Sequence, residues 1–82
     1  MQKGIIVGNI VSTRKQTSLV GSKFMEVRLI KNGKPTDEYI VAVDSVGAGI
    51  GETVLLTTGS SARLALQNQN APVDAVIVGI VD

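Results

Sequence analysis

The chain has 82 residues, enough for one small domain spanning residues 1–82. A net charge of +1 gives no electrostatic case for nucleic acid, an anionic membrane or an acidic partner. With no cysteine and no histidine, disulfides, thiolate chemistry and the usual near-neutral proton shuttle are excluded.

The apolar content is 44%, yet only Phe24 and Tyr39 are aromatic. It is therefore carried by Val, Ile, Leu and Ala, which favours strands with small, branched side chains. The first strand is expected over residues 3–12. Gly8 in its middle predicts a bulge or bend of the kind a small barrel needs at a corner. Gly8 and Asn9 interrupt the opening apolar run, and no small-residue cleavage site follows. The start thus reads as a strand and not a signal peptide, and a cytoplasmic location is expected. No run is long enough to cross a bilayer as a helix. Residues 13–18 are polar and form a loop. Its basic pair, Arg14 and Lys15, is either solvated or in contact with a neighbouring protein.

The second strand, residues 23–30, has the cleanest alternation in the chain. Met25, Val27 and Leu29 point to one face, Glu26 and Arg28 to the other. The second face is exposed or meets a charged partner. Asn32-Gly33 is a strong hairpin signal, because both residues tolerate φ > 0. Pro35, Thr36 and Asp37 are expected to lengthen that connection before a third strand over residues 38–44.

Gly47, Gly49 and Gly51 then alternate in a loop that leads to a fourth strand over residues 52–58. Alternating glycines suit backbone that a side chain forbids. A dinucleotide fingerprint is excluded by spacing. Gly47 and Gly49 fit it, but its third glycine position is Glu52, and a strand follows where a helix is required. Gly59-Ser60-Ser61 precedes residues 62–67, a run of helix formers that either serine can cap. The alternative use of that turn is a backbone anion site. Asn68 to Pro72 is a polar stop, and the last strand runs from residue 73 or 74 to 81. Its alternation places Val76, Val78 and Ile80 on one face and Ala75, Ile77 and Val81 on the other.

Five strands with one short helix between the fourth and fifth predict a mainly β fold, a small, partly open OB-like barrel. The first and last strands are apolar on both faces, and a single small barrel buries only its inward face. Leaving the outer faces in water forgoes about 25 cal/mol per Å². An obligate oligomer is therefore expected, with the outer faces of strands one and five as candidate interface.

Several longer motifs stand in a specific order: Gly8-Asn9-Ile10-Val11-Ser12-Thr13-Arg14-Lys15, then Ala42-Val43-Asp44-Ser45-Val46-Gly47-Ala48-Gly49-Ile50-Gly51-Glu52. Gly59-Ser60-Ser61-Ala62-Arg63, Pro72-Val73-Asp74-Ala75 and Gly79-Ile80-Val81-Asp82 complete them. In these the chain resembles, over essentially its whole length, the vertex proteins of bacterial microcompartment shells. That family is shared by carboxysomes and by ethanolamine- and propanediol-type metabolosomes. The resemblance implies a homopentamer of OB-like barrels that caps the corners of an icosahedral shell beside hexameric facet proteins. It implies no catalytic activity, cofactor or metal, and a place in the shell of a cytoplasmic microcompartment.

The motif residues Arg14, Asp44, Ser45, Gly47, Gly49, Gly51, Glu52, Ser60, Ser61, Arg63 and Asp74 become candidates for subunit contacts or for shaping the motifs. Of the charged ones, Asp44, Glu52, Arg63 and Asp74 are expected to be paired or capping, within or between subunits. The glycine loop is a candidate to approach the five-fold axis and narrow a pore. Two other classes compete. An OB-type nucleic-acid module needs a basic groove with aromatic platforms. A carboxylate enzyme would use Asp44 and Glu52 as an acid–base pair across the loop.

Overall fold

The computed structural model describes residues 1–10, 23–59, 62 and 74–82. Among the described residues there are five strands: β1 (Gln2–Ile10), β2 (Lys23–Lys31), β3 (Lys34–Asp44), β4 (Thr53–Thr58) and β5 (Ala75–Val81). They form a closed barrel in the order β1-β2-β3-β5-β4. The ring is closed where a partly open one was expected. Closure follows from β1, which pairs with β4 through residues 2–5 and with β2 through residues 3–10. Every contact is antiparallel except β3–β5, a parallel pairing of Val43 with Val76 and Asp44 with Ile77.

The register of β1 against β2 slips between Ile6 and Gly8, the bend that Gly8 predicts. A second glycine has a different task. A Cβ on Gly4 would stand 2.3 Å from Val27 Cγ1 and 2.9 Å from the Arg28 carbonyl oxygen, inside van der Waals contact with both. Only glycine lets β1 run this close to β2.

Between β2 and β3 the turn is shorter than expected. Lys31 pairs with Lys34, and Asn32 and Gly33 make the turn alone at φ of 55° and 75°. That is the two-residue geometry whose twist matches the flanking strands. The extra residues are not a longer loop but an irregularity inside the ladder, between Arg28–Tyr39 and Ile30–Pro35. Thr36 holds it. Its hydroxyl donates to the Leu29 carbonyl at 2.8 Å and accepts from the Glu38 N–H at 3.1 Å, while Arg28 Nε donates to the Thr36 carbonyl at 2.6 Å.

β5 also departs from simple alternation. Its register against β4 shifts by one residue at Val78, so that Ile77 stands opposite Leu56 and Ile80 opposite Val54. Ile77 and Ile80 therefore share a face, where uninterrupted alternation separates them.

Ile6, Met25, Val27, Leu29, Ala42, Val54, Leu56, Ala75 and Ile77 fill the barrel, with Ala48 of the glycine loop added at one end. Burying a large aliphatic side chain contributes about 1.5–3 kcal/mol, so this interior is the main source of stability. A smaller cluster lies outside it: Val43, Val76 and Ala62, with Phe24 and Val78 against them. Ala62 is fully buried there, and its N–H donates to the Gly59 carbonyl at 3.1 Å. It is the first residue of the expected helix; residues 63–67 lie outside the described residues.

Candidate functional site

Two features concentrate the motif residues and the exposed apolar surface: the glycine loop at one end of the barrel, and the outer face of the sheet.

The loop is tied down by carboxylates at both ends. Asp44, the last residue of β3, collects three backbone N–H groups. Val46 and Gly47 donate to its Oδ1 at 2.9 and 3.0 Å, and Ala48 donates to its Oδ2 at 2.9 Å. Glu52 closes the other end, accepting the Gly49 N–H on Oε1 at 2.6 Å. Short side chains that accept from the backbone a few residues on are the physical basis of such turns. The main chain adds anchors to β1: Gly51 donates to the Ile6 carbonyl at 2.8 Å, and Ile6 donates to the Glu52 carbonyl at 3.0 Å. Ser45 Oγ donates to the Ile77 carbonyl at 2.6 Å, joining the loop to β5.

Of the three alternating glycines, two need their freedom. Gly47 and Gly51 sit at φ of 78° and 91°. Gly49 does not lie in that region, and a Cβ there would meet only Glu52 Oε1, at 3.4 Å. Within the single chain, Gly49 is therefore replaceable. The carboxylates of Asp44 and Glu52 are turned into the loop's own N–H groups and do not converge as an acid–base pair. The outcome for this segment is a cross-braced plug that inserts Ala48 into the core and displays Val46 and Ile50, the latter 61% exposed.

On the outer face, cross-strand pairing aligns Val81, Thr53, Ile5, Arg28 and Tyr39 in one row across β5, β4, β1, β2 and β3. The next row holds Gly79, Leu55, Lys3, Ile30 and Pro35. Ile5, Ile30 and Leu55 are half-buried, and Tyr39, Val41 and Val81 are exposed. Arg28 lies with its guanidinium 5.7 Å from the Tyr39 ring centre and 3.6 Å from Asp37. This surface is broader than the two strands named from the sequence. The start of β5 is buried on both sides, since Val76 lies under Ala62, and β3 supplies exposed Tyr39 and Val41 in its place. Alternation along β3 is masked by its irregular middle, so neither residue stood out in the sequence. The two aromatic side chains form no joint platform. Phe24 packs in the small outer cluster, and Tyr39 lies under Arg28.

Of the remaining motif residues, Asp74 lies at the start of β5, exposed, and its carbonyl accepts the Gly59 N–H at 2.8 Å. Arg14, Ser60, Ser61 and Arg63 lie outside the described residues.

Comparison with known proteins places this geometry. Residues 1–82 match the model of the family described as Ethanolamine utilisation protein EutN/carboxysome. The chain is 47% identical over 83 residues to the carboxysome shell vertex protein CcmL of Gloeobacter violaceus, covering 100% of this chain and 83% of that one. It is 48% identical over 82 residues to the bacterial microcompartment shell vertex protein PduN of Salmonella typhimurium, covering 94% and 90% of the two chains. Among solved structures, the GrpN pentameric microcompartment shell protein from Rhodospirillum rubrum superposes with a TM-score of 0.90 at 42% identity, over 100% of this chain and 94% of that one. With a full-length family match and relatives this similar, the chain belongs to the EutN/CcmL family of microcompartment shell proteins.

Proposed function

We propose that this protein is a structural component of a bacterial microcompartment shell, forming homopentamers that cap the vertices and abut hexameric facet proteins. The work of such a component is geometric. A closed shell tiled by hexagons needs five-fold pieces at its corners, and one heterologous contact repeated around an axis closes a ring when the rotation permits. The observation that carries the reading is the combination of a barrel filled by its own side chains with a second apolar surface on its outside. The inner face of the sheet makes the fold; the outer rows through Ile5, Leu55, Ile30, Tyr39 and Val81 offer area for a neighbour. Stable association buries about 1,200–2,000 Å² in all, and a chain whose total accessible surface is 5134 Å² has that to give on two flanks.

The glycine loop fits the same role. Cross-braced by Asp44, Glu52 and Ser45, it is held as a fixed rim on which Val46 and Ile50 present apolar tips. The motif residues act as shape-setting and contact residues, with no substrate or cofactor to bind. The pentamer is a part of the shell, and the shell lies in the cytoplasm.

The test is oligomer mass by light scattering over a dilution series. A particle of about five times the 8.6 kDa chain mass is expected. A stable, soluble single subunit at high concentration would overturn the proposal. Co-expression with a hexameric shell protein then tests closure: closed polyhedral shells with this chain present, and open or elongated sheets without it.

A further inference from the structure

Glu26 has no explanation within the subunit. It stands on the outer face of β2, between Gly8 of β1 and Val41 of β3. It is half-buried, and its neighbour Val41 is 53% exposed. Its carboxylate leans over Gly8, where an added Cβ would lie 4.0 Å from Glu26 Oε1. The other described acids that hold the subunit together have visible tasks. Asp44 and Glu52 clasp the loop, Asp37 meets Arg28, and Glu38 meets Lys31 at 2.9 Å. Among the described residues nothing donates a hydrogen bond to the Glu26 carboxylate and no cation lies within ion-pair distance of it. Arg28, two residues along the same face, is engaged by Asp37 and the Thr36 carbonyl.

Glu26 is half-buried on a face where Val41 and the bare backbone of Gly8 offer its carboxylate no donor, so a positive group brought to it gains a charge-assisted contact. We infer that Glu26, in the notch over Gly8, receives a Lys or Arg side chain from the adjacent copy of this chain, across the subunit interface. This rests on the pentamer proposed above and adds one polar contact to it. Three facts favour a second copy as the occupant. The notch is continuous with the outer apolar rows, because Glu26 shares its strand face with Arg28. The chain carries surplus cations: Lys3, Lys23 and Lys34 enter no ion pair among the described residues. A cyclic contact also sets two different patches of the chain against each other, so a carboxylate on one flank can meet a cation on the other. Such a contact fixes register and partner choice more than it adds affinity.

The experiment compares wild type, Glu26→Gln and Glu26→Lys by mass photometry and analytical ultracentrifugation across protein concentration, at low and high salt. Glu26→Gln keeps the shape of the side chain and removes the charge. It should weaken each contact by about five-fold at low salt, an effect that shrinks in high salt. Glu26→Lys should be worse, and charge reversal at the partnering cation, scanned as Lys3→Glu, Lys23→Glu and Lys34→Glu, should restore assembly in that background. Far-UV circular dichroism of each variant at the concentrations used for assembly checks that it folds. A wild-type pentamer whose dissociation is unmoved by both substitutions at Glu26 overturns this inference and leaves the pentamer standing. A wild type that is monomeric overturns the pentamer itself.

Discussion

Replacing Asp44 tests whether the glycine loop is held by one carboxylate. Its two oxygens accept three N–H groups, from Val46, Gly47 and Ala48, all within 3.0 Å. The three are not equivalent. Val46 and Gly47 are exposed, so their N–H groups can turn to water and lose little. Ala48 is buried, and its N–H stays out of solvent when the acceptor goes. A buried donor left unsatisfied costs about 1–3 kcal/mol, and a bond to a charged group contributes about 1.5–3 kcal/mol. For Asp44→Ala the loss is therefore about 2–4 kcal/mol. Asp44→Asn keeps one oxygen and replaces the other by a donor. In the native orientation it keeps the pair at Oδ1 and faces the Ala48 N–H with an NH₂ group, so about half of the loss is expected. A domain of this size shifts its Tm by about 4–8 °C per kcal/mol. The Asn and Ala variants should then melt about 4–16 °C and 8–32 °C below wild type. Urea midpoints should follow the same order with unchanged slopes, read at one fixed protein concentration because oligomer stability depends on it. If both variants melt with wild type, the clasp is decorative. If Asn is as damaging as Ala, charge and not acceptor geometry holds the loop.

The glycines give a sharper set of contrasts. Gly47→Ala and Gly51→Ala place a side chain at positive φ and should each cost about 1–2 kcal/mol in urea unfolding, while Gly49→Ala should leave the unfolding midpoint unmoved. Since the isolated chain tolerates a side chain at Gly49, a bulky residue there that blocks assembly, seen as loss of the pentamer peak with intact circular dichroism, would bring the loop next to a neighbour or the five-fold axis. Gly4→Ala forces β1 off β2 and should lose more than about 2 kcal/mol, as overpacking of a tight site does; Val27→Ala removes one of the two clashes and should recover part of the loss in a double-mutant cycle. Arg63→Ala should lower the pentamer's resistance to dilution; an Arg63→Ala protein that remains fully pentameric on dilution would count against an interface role for that residue.

How much of this the sequence discloses depends on whether a signal is local. The alternation of Met25, Val27 and Leu29 is a property of one strand, and all three are buried as read. Asn32-Gly33 carries its conformation in two residues, and the hairpin forms there. Gly8 marks the bend in β1. Where the register is set by a partner strand, sequence reading fails. Pro35, Thr36 and Asp37 look like loop residues, a proline followed by two polar side chains, yet they lie within β3, where Thr36 is bound to Leu29 and Arg28 across the ladder and Asp37 meets Arg28. Val78 looks like an ordinary member of an alternating strand, and only pairing with β4 shows that the count slips there.

The same distinction governs the site. That Asp44 and Glu52 bracket a glycine loop is visible in the chain, and so is the failure of a phosphate-binding reading. Which N–H groups the carboxylates take is a matter of three-dimensional closure. So is the division between Gly47 and Gly51, which require glycine, and Gly49, which does not. That division separates two demands on one motif. A residue needed for the loop's own conformation is identified by its φ within one subunit. Gly49 is spared that need, so a substitution there separates a demand made within the subunit from one made by a neighbouring chain. Gly49 and Glu26 are then complementary probes, the one a missing side chain and the other a carboxylate without a partner among the described residues. On the proposed pentamer, the assembly of Gly49 and Glu26 variants reads whether a second copy stands against either position.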